Sequence, residues 1–167
     1  MNRCIFLLLF FVYLNSVFSQ DTIVNKAVIK RHSAYLEIFG NTGLVPSINY
    51  DYMFLSVRNN HLSSRIGFTT DFSNAIALPL EMNYFTGNTP HHFELGLGIT
   101  FEIQFEDQIE DYYVPYILVG RIGYRYQKME GGWLFRLAFT PLCDYFSLGG
   151  FDRFIQPSGG FSVGYSF

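Results

Sequence analysis

Few residues in this sequence have both the type and the spacing for reactive chemistry. The pair His91-His92 invites a metal ion, but adjacent residues of a strand point to opposite faces, no further ligands cluster nearby, and in the turn before the fifth strand both are expected to be solvated. His32 and His61 are isolated, so neither a metal nor another cofactor is expected. Ser147, Ser158 and Asp144 share the stretch PLCDYFSLGGFDRFIQPS (141–158), which offers hydroxyls and a carboxylate but no nearby histidine to serve as base. The larger set is ionic: Glu37, Asp51, Arg65, Asp71, Glu81, Glu94, Glu102, Arg121, Arg125 and Arg136. Six carboxylates and four arginines could line a path for ions, or neutralise one another inside a fold. Buried charges must be paired and hydrogen-bonded, and the second reading is the expectation.

The elements that hold these charges have a period of two. Apolar residues alternate at Ala34-Leu36-Ile38, then at Ile48-Tyr50-Tyr52-Phe54, Ile66-Phe68-Thr70-Phe72 and Leu78-Leu80-Met82-Tyr84. The longest run is Phe93 to Phe105, followed by Tyr116 to Tyr126, Trp133 to Phe139 and Phe161-Val163-Tyr165-Phe167. Eight such runs predict eight strands. Every charge named above falls on the face opposite the apolar one, interleaved with Gly67, Gly96, Gly98 and Gly123. Pro79 and Pro115 remove ladder donors and predict bulges or strand ends.

Composition says which solvent the apolar face meets. Hydrophobic residues make up 49 %, aromatics 19 % and charged residues 15 % of the 167-residue chain, against about 25 % charged in an ordinary soluble domain. No stretch after the first twenty residues is apolar for the ~20 residues of a membrane helix. A closed sheet is the other route across a bilayer. The expected fold is all-β, an eight-stranded antiparallel up-and-down transmembrane β-barrel over residues 20–167. Its apolar face meets lipid, and its lumen is filled by the charged side chains.

Residues 1–19 read as a signal peptide, with Arg3 before an apolar run from Ile5 to Leu14 and Val17-Phe18-Ser19 before the cut. Export to a bacterial outer membrane follows as the expected location. Removal of Arg3 leaves ten basic and fourteen acidic residues, not the basic footprint of a nucleic-acid binder. Cys143 is then a lone thiol with no disulfide partner.

Short connections at Arg58–Ser64, Gly87–His91 and Gln127–Gly132 suit periplasmic turns, and the longer ones, Glu106–Tyr112 and Pro141–Ser158, suit the outside. Tyr84, Phe93, Tyr126, Trp133 and Phe167 fall near the periplasmic ends, where interfacial aromatics belong. Tyr145, Phe146, Phe151 and Phe154 offer an apolar cluster to an extracellular partner, unless that stretch extends the flanking strands or folds over the barrel mouth as a lid.

The segments AYLEIFGNTGLVPSINYDYMF (34–54), LPLEMNYFTG (78–87), HHFELGLGITF (91–101), GRIGYRYQKMEGGWLFRLAFTPL (120–142) and GGFSVGYSF (159–167) resemble a family of small outer-membrane barrels from Bacteroidetes-type bacteria. The resemblance implies fold and location and brings no catalytic residues. The last strand, Phe161, Val163, Tyr165 and Phe167, resembles the signal read by the outer-membrane assembly machinery, although Gly160 and Ser162 depart from it. The expected role is structural or surface-interacting, without catalysis. Two alternatives stand beside it: a soluble periplasmic or secreted lipocalin-like barrel with an apolar ligand inside, and a lipid-modifying enzyme built at the rim from Ser147, Asp144 and Ser158.

Overall fold

The structure is a computed structural model that describes residues 29–42, 45–70, 75–87, 89–104, 116–144 and 154–167. The expected signal peptide, Asp71, Pro115, the acidic connection 106–112 and Tyr145, Phe146, Ser147 and Phe151 lie outside the described residues.

Two-residue alternation dictates strands, and nearly everything described is strand. In chain order these are β1 (His32–Phe39), β2 (Ser47–Val57), β3 (Asn60–Thr70), β4 (Ala75–Thr86) and β5 (His91–Gln104). There follow β6 (Tyr116–Gln127), β7 (Gly132–Phe139), β8 (Leu142–Asp144), β9 (Phe154–Gln156) and β10 (Gly159–Ser166). All pairings are antiparallel, and β1 closes on β10 with Ser33 opposite Ser166 and Phe39 opposite Gly160. β8 carries on the register of β7 against β6, and the β8–β9 pairing carries on that of β7–β10. Ten segments therefore make eight staves of one closed barrel, and each stave is paired with a neighbour on both sides.

The segments divide at prolines. In the shared register Pro141 stands opposite Pro157, and neither has an N–H to give. The ladder survives around them: Thr140 N–H donates to Ser158 O at 2.7 Å and Gly120 N–H to Pro141 O at 3.0 Å. Residues 141–158 are thus not one long loop, because Leu142–Asp144 and Phe154–Gln156 are strand. The predicted bulge at Pro79 is absent too. Pro79 lies within β4, opposite Thr100, and the β3–β4 register is the same on either side of it. Gly67 across the ladder leaves space for its ring, since a Cβ there would lie 2.6 Å from Pro79 Cγ. The bulge is instead in β2, between Met53 and Leu55.

The barrel has two unlike ends. At the turn end, β2 passes to β3 through Arg58–Asn59 alone, so Asn60–Ser64 belongs to β3 and not to the connection. Arg58 holds a positive φ of 52° there, as tight hairpins require. The β4–β5 and β6–β7 connections are also short, and residues 29–31 and Phe167 join them at this end, with Lys30 N–H bonded to Met129 O at 2.7 Å. The other four connections make the loop end.

Candidate functional site

Alternation sorts the side chains by face. Leu97 is 77 % exposed on the outer wall and Ile48 65 %, whereas Arg121, Arg125 and Arg136 are at most 1 % exposed inside. The interior is therefore charged and the exterior apolar, the reverse of a lipocalin-like binder.

Four carboxylates and four arginines, all essentially inaccessible, occupy the described lumen in balance: Glu37, Asp51, Glu81, Glu94 and Arg65, Arg121, Arg125, Arg136. Toward the loop end, Glu37 takes Arg65 Nη2 at 3.0 Å and Arg121 Nη2 at 3.1 Å, with Ser162 Oγ donating to it at 3.0 Å. Glu81 takes Arg121 Nε at 2.8 Å and Arg65 Nη1 at 3.5 Å. Toward the turn end, Glu94 receives Arg136 and Arg125, and Arg125 Nη2 reaches Asp51 at 2.6 Å. Arg136 also donates to the Tyr35 hydroxyl and lies over that ring, 5.0 Å from its centroid. Desolvating so many charges is costly, and only mutual pairing with nearly complete hydrogen bonding offsets it. Glu102 shares this face of β5 nearer the loop end, where it is half-buried.

How the loop-end mouth is filled is not legible along the chain. Phe39 and Gly40 have φ of 63° and 85°, which turns the chain inward after β1. The short helical turn Gly40–Thr42 then puts Asn41 into the lumen, 2 % exposed. Asn41 Nδ2 donates to Glu81 at 2.5 Å, and its Oδ1 accepts from Arg121 Nη2 at 2.9 Å. Only a glycine fits before it, because a Cβ at Gly40 would lie 2.3 Å from Glu37 Oε1.

The turn-end mouth is closed by His61, Phe85 and His92. His92 is neither in a turn nor solvated; it points inward from β5, 1 % exposed, while His91 points out. Its ring nitrogens lie 3.1 Å from Thr86 O and 3.0 Å from Gln127 O. His61 is not isolated either, stacking on Phe85 at 5.0 Å and bonded to Ser56 and Gly87 O. No group of three or more His, Cys, Asp or Glu able to hold a metal occurs among the described residues. Ser63 and Asn83 face each other across β3–β4 with side-chain polar atoms that lack protein partners, a place suited to ordered water.

On the outer wall, Tyr84, Phe93, Tyr126, Trp133 and Phe167 lie at the turn end. The structure joins them to residues that composition did not single out. His32 is bonded to Tyr50 Oη at 2.5 Å and lies against Tyr52, and His91 is bonded to Tyr124 Oη at 2.5 Å and lies against Tyr126. The cross-strand neighbour that gives each histidine its partner is invisible along the chain. Phe161, Tyr165 and Phe167 face outward from the closing strand, and Val163 is half-buried between them. Of the residues considered for rim chemistry, Ser158 Oγ donates to Gly40 O at 3.3 Å.

No protein-family model matches the sequence, and no curated protein matches it. Among solved structures, the barrel is similar to the N-terminal β-barrel domain of Pseudomonas aeruginosa OprF, with a TM-score of 0.55 and 11 % identity over 84 % of this chain and 98 % of that one. Neisserial surface protein A gives a TM-score of 0.46 at 10 % identity, over 84 % of this chain and 96 % of that one. The outer membrane enzyme PagL gives 0.38 at 9 % identity, over 81 % of this chain and 97 % of that one. The likeness to the OprF domain is one of fold, and nothing rests on the other two: the chain is a closed, eight-staved antiparallel β-barrel.

Proposed function

We propose that this chain is an integral outer-membrane protein, exported by residues 1–19, whose side-chain-filled barrel has a structural or surface-interaction role and no catalytic one. The inverted polarity of the barrel carries the reading. Twenty-five large apolar or aromatic side chains are exposed on the described surface, while all four lumen arginines are buried. In water such a belt would drive aggregation, whereas in lipid it is the wall that transmembrane barrels need. The turn end faces the periplasm and the loop end the exterior, as short periplasmic turns and longer external loops require. The plugged lumen fits a barrel too narrow for a channel.

Phe161, Val163, Tyr165 and Phe167 on the closing stave are the residues offered to the assembly machinery. Tyr145, Phe146, Phe151 and Phe154 are those offered to an extracellular partner. Membership in the small outer-membrane barrels of Bacteroidetes-type bacteria belongs to the same proposal.

The test is electrophoretic migration of the chain in detergent, boiled against unboiled, with solubility after detergent removal. A shifted unboiled band and precipitation without detergent support the reading. Identical migration and full solubility overturn it.

A further inference from the structure

The turn-end rim carries one arrangement twice. At the first position of β1, His32 bonds through Nδ1 to Tyr50 and lies 5.1 Å from the Tyr52 ring. At the first position of β5, His91 bonds through Nδ1 to Tyr124 and lies 5.3 Å from the Tyr126 ring. Where each tyrosine hydroxyl donates to Nδ1, the tautomer that a nearby anion favours, the proton is on Nε2. Neither Nε2 has a partner among the described residues, so in that tautomer each is a donor at the surface.

Between the two triads the aromatic surface is nearly continuous. Tyr126 contacts Phe135 at 6.1 Å, Phe135 contacts Trp133 at 6.1 Å and Trp133 contacts Tyr165 at 6.3 Å. Beyond Tyr165, Phe167 stacks on His32 at 6.0 Å.

Cations share the turn end with this arc. Lys30, Arg31, Arg58 and Lys128 are all exposed at the turn end, where Glu130 is the one exposed acidic side chain among the described residues. Arg31 directly precedes His32, and Lys128 follows Tyr126 by two residues. Lys30 packs on the β6–β7 turn, its Cγ 3.0 Å from where a Cβ on Gly131 would stand. Every lumen arginine is occupied by carboxylates, but none of these four rim cations has an ion pair among the described residues. Arg31 spends one N–H on Phe54 O at 3.3 Å.

We infer that the turn-end rim from β5 through the β1–β10 seam to β2 is a binding surface for anionic phospholipid headgroups. The rings seat at the level of the acyl–headgroup boundary, the two histidine Nε2–H groups and the four cations meet phosphate oxygens, and the net positive charge selects anionic over zwitterionic lipid. This inference rests on the membrane reading above.

Trp133 is the only tryptophan of the chain and lies in the middle of the arc, so its fluorescence reports on the lipid found there. The full chain is refolded into phosphatidylcholine vesicles in which either phosphatidylglycerol or phosphatidylcholine carries bromine high on its acyl chains, and quenching is compared at equal mole fraction. The expected result is a relative association constant of about threefold or more for the anionic lipid, falling to about one at ~0.5 M salt. The K30Q/R31Q/R58Q/K128Q variant should lose the preference at low salt, and H32Q/H91Q should lower it. Equal quenching by the two lipids in the wild-type chain overturns the inference and leaves the membrane reading standing. A preference insensitive to salt and to the quadruple variant also overturns it. Absence of quenching by either lipid overturns the membrane reading itself, and this inference with it. Should the quadruple variant fail to fold, the salt dependence of the wild-type chain decides alone.

Discussion

Arg136 and Glu94 meet side by side in the centre of the lumen, Nε to Oε2 at 2.9 Å and Nη2 to Oε1 at 2.6 Å. The same Nη2 stands 3.5 Å from Glu81 Oε1. Arg136 therefore joins the turn-end charges to the loop-end charges, and the two halves of the plug form one network. Glu94→Gln leaves Arg136 with a neutral partner in a site that excludes water. Breaking a buried pair from one side costs about 3–5 kcal/mol. The expected outcome is a loss of that size in reversible urea unfolding of the refolded barrel. The double variant E94Q/R136Q should lose less than the sum of its single variants, because it removes the orphaned charge.

Asn41 closes the loop end by donating to Glu81 and accepting from Arg121. Asn41→Ala removes both bonds without altering the backbone and should cost about 1–3 kcal/mol, the cost of leaving buried polar groups unsatisfied. Gly40→Ala should cost more than Asn41→Ala, since it adds strain at a φ of 85° to a contact of 2.3 Å with Glu37 Oε1. The temperature at which the unboiled band is lost ranks the two variants.

The His92 ring nitrogens lie against Thr86 O, beside the β4–β5 turn, and Gln127 O, at the end of β6, and a neutral imidazole donates to one of the two. His92→Leu keeps the bulk and removes that donor. Backbone amides around Gly87 and Gln127 should then exchange with deuterium faster, and those around Leu36 and Ile48, on other staves, should not change. Equal exchange at all four places would assign His92 to packing alone.

The period of two made the strands and their faces legible, because it is local and every stave repeats it. Which Glu meets which Arg was not legible. The stagger of eight staves brings Arg121 of β6 to Glu37 of β1, 84 residues apart, and no spacing along the chain encodes that. Asn41 was hidden for a different reason: GNTG reads as an ordinary polar turn, and only the positive φ of Phe39 and Gly40 sends it inward. Pro79 did signal a disturbed ladder, but its remedy, a glycine across the sheet at position 67, belongs to another stave. His92 was obscured by its nearness to a turn, although the alternation that placed Glu94 in the lumen places His92 there as well.

Leu97 is the most exposed large apolar residue described, at 77 %. Its substitution by arginine separates the two solvents the wall could face. On a wall in water, an exposed leucine replaced by a cation should stay within about 0.5 kcal/mol of the parent. At the middle of a bilayer the same change costs about 2–4 kcal/mol, falling to about 0–1 kcal/mol near the interface. Val57, also exposed but in the last position of β2 at the turn end, supplies the interfacial control. Unfolding in lipid vesicles should therefore show Leu97→Arg strongly destabilised and Val57→Arg little changed. Two equally small losses would mean that the apolar wall does not lie in lipid.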